Sequence, residues 1–189
     1  SEYYRFIRTT TEENPELVSL EILYNHPEYP VYGIEISSTS SPPEGKQHVL
    51  FTAMHSGVEY SGSNTLFQLI RWLLQDDPTA RRIREAMRIF IVPVPNPYVY
   101  EKGTLDSQHV SLFGNDPYSG PWSFNGVVEP EINVEAYAVQ HYMDRIKPEL
   151  YIDCHGVFFR GQHMIENTGI SVFGMNRPHH LDFVSFMNQ

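Results

Sequence analysis

The 189-residue sequence predicts an α/β fold, a mixed or parallel sheet covered by helices on both faces. Three observations carry this. Mostly apolar runs too short for helices alternate with longer stretches of helical periodicity. The runs at 47–54, 88–94 and 149–154 have the composition of strands buried on both faces. Two of them lead directly into a histidine, His55 and His155, and ligands in such sheets sit outside the carboxyl ends of the strands.

The elements follow in order. Residues 2–13 read as a short helix ended by Asn14-Pro15, because a residue before proline avoids the helical region. Strand-like runs at 18–24 and 31–37 flank the turn-rich 25–30, and the Ser- and Pro-rich 38–45 forms a surface loop before the strand at 47–54. In 61–75, Leu66, Leu69, Ile70, Leu73 and Leu74 recur at the spacing of an amphipathic helix. A second helical stretch covers 80–87 and leads into the strand at 88–94. Residues 98–129 are rich in Gly, Pro, Asn and aromatics and lack periodicity, which predicts a long functional loop. Pro130 suits the first turn of a helix over 130–146, with Ile132, Ala136, Val139, Met143 and Ile146 along one face. No repeat or low-complexity tract divides the chain, so it reads as a single domain over 1–189.

Composition narrows the function. With 41% apolar and 19% charged residues the chain has ordinary globular usage, which excludes disordered and fibrous classes. Thirteen Lys and Arg stand against 23 Asp and Glu, a formal charge of −10 that repels nucleic acid and anionic membrane surfaces. A single cysteine, Cys154, excludes an internal disulfide, and no apolar run approaches the ~20 residues of a membrane span. Neither a phosphate-binding glycine loop nor a Gly-x-Ser-x-Gly elbow is present.

His55, Glu59 and His155 can meet in space if both strand ends lie side by side. Two imidazoles and a carboxylate with an open fourth position form a catalytic zinc set, leaving the ion net positive and able to activate water or a carbonyl. The alternative is that these are hydrogen-bonded or solvated loop residues. Asp153 lies two residues before His155 and points to the same side if the strand continues, where it could orient a ligand. Cys154 then points the other way and reads as a small buried apolar residue.

Six segments, in order, resemble the zinc carboxypeptidase (metallocarboxypeptidase) family. Residues 13–18 resemble the link between its first helix and first strand, and 30–37 its second strand. Residues 49–59, ending Met-His55-Ser-Gly-Val-Glu59, resemble the strand that carries two zinc ligands. Residues 92–97 resemble its asparagine-proline corner, Glu129-Pro-Glu131 its Glu-Pro-Glu helix start, and Tyr151-Ile-Asp-Cys-His-Gly156 the strand delivering the third ligand. The resemblance implies a three-layer α/β fold with a mixed, mostly parallel twisted sheet. It implies Zn²⁺ as cofactor, held by His55, Glu59 and His155, and a peptide or peptide-like substrate. It implies hydrolysis of an amide, with a glutamate acting as base and then as acid to the leaving amine. Relatives of this kind are often exported, which leans the expected location towards extracytoplasmic.

The chain departs from the family pattern in four places. The usual His-x-x-Glu spacing is lengthened by one, with Val58 at the third position and Glu59 at the fourth. No arginine occurs between Arg88 and Arg145, so Asn115 stands without the Arg expected after it, and the guanidinium fork for a terminal carboxylate is missing from that stretch. Lys102 and Arg160 are the candidate substitutes. Ser56 and Gly57 replace the arginine beside the first ligand. The family's catalytic glutamate comes late. Glu166, the one acidic residue between His155 and Asp182, is a candidate for it, and the other expectation is a base beyond Gln189 in a chain that lacks its C-terminal part. These departures favour an unusual substrate such as a cell-wall peptide or an N-acyl amino acid. They leave open a deacylase with the same metal site and a non-catalytic carboxypeptidase-like binding module.

Overall fold

In the computed structural model, the structure describes residues 2–53, 60–102 and 134–154. Ten elements lie within one compact unit, Ser1–Val157. They are α1 (Glu2–Glu13), β1 (Val18–Tyr24), β2 (Val31–Ile36), β3 (Gln47–Ala53), α2 (Tyr60–Leu73), α3 (Pro78–Ala86), β4 (Met87–Val92), α4 (Pro97–Lys102), α5 (Val134–Ile146) and β5 (Leu150–Cys154).

The five strands form one mixed sheet in the order β1-β2-β4-β3-β5. β1 and β2 form an antiparallel hairpin, and β2 runs antiparallel to β4. β3 runs parallel to both β4 and β5. Only β2 therefore opposes the common direction, and the mixed, mostly parallel sheet expected from the sequence is what forms.

Helices cover both faces. On one, Tyr3 and Ile7 of α1 and Leu66, Phe67, Ile70 and Leu73 of α2 pack with Ile34, Ile36, Ile89, Ile91 and Ala53 of the strands. On the other, Ala138, Val139 and Tyr142 of α5 pack with Val31, Leu50, Phe90 and Val92. Alternation along β4 sends Ile89 and Ile91 to the first face and Phe90 and Val92 to the second, as period-two geometry demands. The predicted stripe on α2 is correct, with Phe67 added to it. On α5, Ala138 and Tyr142 join the expected Ala136 and Val139, while Ile132 lies outside the described residues.

Capping explains the differences from the sequence reading. α3 begins two residues early because Asp77 accepts hydrogen bonds from the backbone N–H groups of Thr79 and Ala80, both at 2.9 Å, with Pro78 in the first turn. The same signature opens α4 inside the predicted loop: Asn96 Oδ1 accepts the Val99 N–H at 3.1 Å, followed by Pro97. The expectation of a loop from residue 98 is therefore corrected through Lys102, and 103–129 lies outside the described residues. β5 is also corrected. It is not buried on both faces, because it is the outermost described strand, and Leu150 and Tyr151 are 37% and 41% exposed.

Candidate functional site

Register brings three strand ends level. Thr52 of β3 pairs with Val92 of β4 on one side and Asp153 of β5 on the other. Ala53 and Cys154, the last residues of β3 and β5, are themselves partners. The chain then leaves β3 towards His55, leaves β5 towards His155, and re-enters the described structure at Tyr60, the residue after Glu59 and the first of α2.

The first turn of α2 is pinned onto these ends by two contacts. The Ser63 hydroxyl, fully buried, donates to the carbonyl of Pro93 at 2.7 Å, tying the helix to the corner after β4. Gly62 lies against β5 so closely that a Cβ there would stand 1.9 Å from the Cys154 carbonyl oxygen and 3.3 Å from the Ala53 Cβ. Only glycine permits that approach. Tyr60 packs its ring on Tyr100, with centroids 5.5 Å apart, and partial burial raises its phenol pKa.

Three side chains bridge β3 and β5 on the α5 side. Asp153 Oδ1 accepts the Thr52 hydroxyl at 2.7 Å, and Thr52 Oγ1 lies 2.8 Å from the Tyr151 hydroxyl. The single Thr52 proton is committed to Asp153, so the Tyr151 O–H donates into Thr52. Burial and the Asp153 charge raise the Tyr151 pKa, opposed by the Thr52 hydrogen bond. Asp153 thus faces α5, and Cys154 faces the α2 side among the apolar core residues. Burial, and secondarily Asp153, push the Cys154 thiol up to about 11, which keeps it protonated and apolar as expected.

His55, Glu59 and His155 lie outside the described residues, as do Glu166, Asn115 and Arg160 and the side chain of Lys102. Among the described residues no group of three His, Cys, Asp or Glu side chains could hold a metal. The arginines that bracket the Arg-free stretch are committed elsewhere. Arg88 forks Glu35 at 2.6 and 2.9 Å, and Arg145 pairs with Glu21 at 2.5 Å. Both pairs lie at a cleft of about 290 Å³ beside His48 and the end of α5, towards the opposite ends of β3 and β4 from the three level termini. Of the aromatic residues expected to wall a pocket or pack the loop, Tyr100 packs on Tyr3, Tyr60 and Phe67 and Tyr98 packs edge-on against Tyr29, while Tyr118, Trp122 and Phe124 lie outside the described residues.

Sequence reasoning singled out Asp153 but missed Thr52, Tyr151 and Gly62. The spacing of Tyr151 and Asp153 on one strand face was legible, as was a glycine in the first turn of a helix; the cross-strand register that gives them partners was not.

The five-stranded mixed sheet, with helices on both faces and its parallel strand ends level beside the first turn of α2, is an α/β architecture of three layers. The zinc carboxypeptidase family profile matches residues 3–108, more than half of the chain and a span that includes His55 and Glu59. The chain belongs to the zinc carboxypeptidase family, whose members are zinc enzymes. No curated protein matches the chain significantly.

Solved structures share the fold. A metallo-carboxypeptidase from Burkholderia cenocepacia superimposes with a TM-score of 0.68 at 21% identity, over 82% of this chain and 40% of its own. A carboxypeptidase A candidate from Shewanella denitrificans gives 0.67 at 22% identity, over 82% of this chain and 39% of its own. The metallo-carboxypeptidase from Pseudomonas aeruginosa, in complex with (2-guanidinoethylmercapto)succinic acid, gives 0.63 at 19% identity, over 82% and 39%. The chain therefore spans about two fifths of the length of these structures. Among the described residues no helix is long and apolar enough to cross a membrane.

Proposed function

We propose that the chain carries the metal-binding part of a zinc-dependent amide hydrolase acting on a peptide or peptide-like substrate, with His55, Glu59 and His155 as the zinc ligands. The observation that supports this most is the pairing of Ala53 with Cys154 under the first turn of α2. Two residues of chain reach no further than about 7 Å, so all three candidates spring from anchor points that already adjoin. Two neutral imidazoles and one carboxylate are a donor set that suits zinc and leaves a position open.

Bound zinc supplies Lewis acidity, lowering the pKa of water and polarising a carbonyl. The chain's own residues supply the frame. Level strand ends and the helix pinned by Ser63 and Gly62 hold the ligand-bearing segments, and the protonated Cys154 keeps an apolar wall behind β5. Glu166 is the general-base candidate within the sequence. No arginine occurs between Arg88 and Arg145, and this departure from the family pattern supports an unusual substrate such as a cell-wall peptide or an N-acyl amino acid.

Elemental analysis of the purified protein tests the metal reading: about one zinc per chain is expected, with a large loss in His155→Ala. No zinc in the wild type, even after incubation with the metal, overturns it. Cleavage of substrates with blocked C-termini as fast as free ones would replace the carboxypeptidase reading by a deacylase with the same centre.

A further inference from the structure

Thr52 is fully buried at the last level where β3, β4 and β5 are all paired, and its hydroxyl is the middle member of the Tyr151–Thr52–Asp153 bridge. Backbone pairing alone leaves parallel strands free to adjust their ends by small slips and twists. A β-branched residue with a restricted χ1, hydrogen-bonded to the residue directly opposite, removes that freedom. The Tyr151 hydroxyl, 2.8 Å from Thr52 Oγ1, occupies the other side of that oxygen and fixes the direction of its bond to Asp153. Three residues further on from Thr52 is His55, and two further on from Asp153 is His155.

We infer that Thr52 is a positioning residue for the metal centre: its hydroxyl, held between Tyr151 and Asp153, sets the relative placement of the β3 and β5 termini and thereby of His55 and His155. This rests on the reading of those histidines as zinc ligands. Valine has the same shape as threonine but no donor, so it keeps the packing while leaving the Tyr151 hydroxyl and Asp153 each short of a partner. Serine keeps the donor and loses a methyl. The two substitutions separate hydrogen bonding from packing.

The test is zinc affinity by chelator competition, together with the visible absorption spectrum of the cobalt-substituted protein, in full-length wild type, Thr52→Val, Thr52→Ser and His155→Ala. Thr52→Val is expected to weaken zinc about 10–100-fold, the range seen when groups supporting metal ligands are removed, and to shift the cobalt bands. Thr52→Ser is expected to retain wild-type bands and affinity. If His155→Ala binds zinc like the wild type, the ligand assignment itself falls and the inference falls with it. If His155→Ala loses zinc while Thr52→Val keeps wild-type affinity and spectrum, the positioning role alone is overturned. Equal weakening by Val and Ser assigns the effect to packing and also overturns it. Should Thr52→Val fail to fold, Tyr151→Phe at its half-exposed position takes its place: shifted cobalt bands support the inference, and an unchanged spectrum and affinity overturn it.

Discussion

At Gly62 helix propensity and packing pull in opposite directions. In an exposed helical position, replacing glycine by alanine stabilises by up to about 1 kcal/mol. Here the added carbon would stand 1.9 Å from the Cys154 carbonyl oxygen, a backbone atom with little room to move. The clash is expected to win, so Gly62→Ala should destabilise the metal-free protein by about 1–3 kcal/mol in urea titration, by forcing α2 off β5. A stabilised variant would show that α2 does not sit this close. The same residue illustrates what could be read in advance. His55 and His155 stood out because chemistry-bearing side chains just past buried strands are visible in one dimension. The partners of Thr52, Tyr151 and Gly62 were not, because each contact joins positions about ninety to a hundred residues apart and depends on a register no local pattern encodes.

At the level of elements, strands β1 to β4 and helices α1, α2 and α5 were legible because each carries its own periodicity. Where helix starts differ from the sequence reading, a cap is the cause. Asp77 before Pro78 and Asn96 before Pro97 each combine an N-cap acceptor with a first-turn proline; the first starts α3 two residues ahead of its expected start, and the second opens α4 where a loop was expected. Asp77→Ala removes the acceptor of two backbone N–H groups and should cost about 1 kcal/mol in thermal or chemical unfolding, with Asp77→Asn close to wild type. Hydrogen exchange of the Thr79 and Ala80 amides should accelerate in the alanine variant. Burial of β5 was misjudged for a different reason. An apolar run reports a strand, but its place in the sheet is decided by which strands flank it, and β5 has only β3 beside it among the described strands.

At the largest scale, the sheet separates two cores that share no residue among those described. Ile70 of α2 lies in one and Val139 of α5 in the other. Ile70→Ala is expected to cost about 2–5 kcal/mol and Val139→Ala about 2 kcal/mol. With a sheet between them, their effects should add to within about 0.5 kcal/mol in the double variant, as measured by urea unfolding. A larger coupling would mean that the layers communicate through β3 or β4.

The flush strand ends have a consequence for the order of assembly. The bond from Thr52 to Asp153 closes a separation of 101 residues, whereas β3 and β4 meet across about forty. As the chain leaves the ribosome, the hairpin, β3, α2 and β4 are available to one another well before β5 exists. At ordinary elongation rates of about 5–20 residues per second, His55 and Glu59 emerge roughly 5–20 s ahead of His155. Throughout that interval β3 lacks its β5 partner, so the flush edge is completed late, after the hairpin, β3, α2 and β4 have had time to pair.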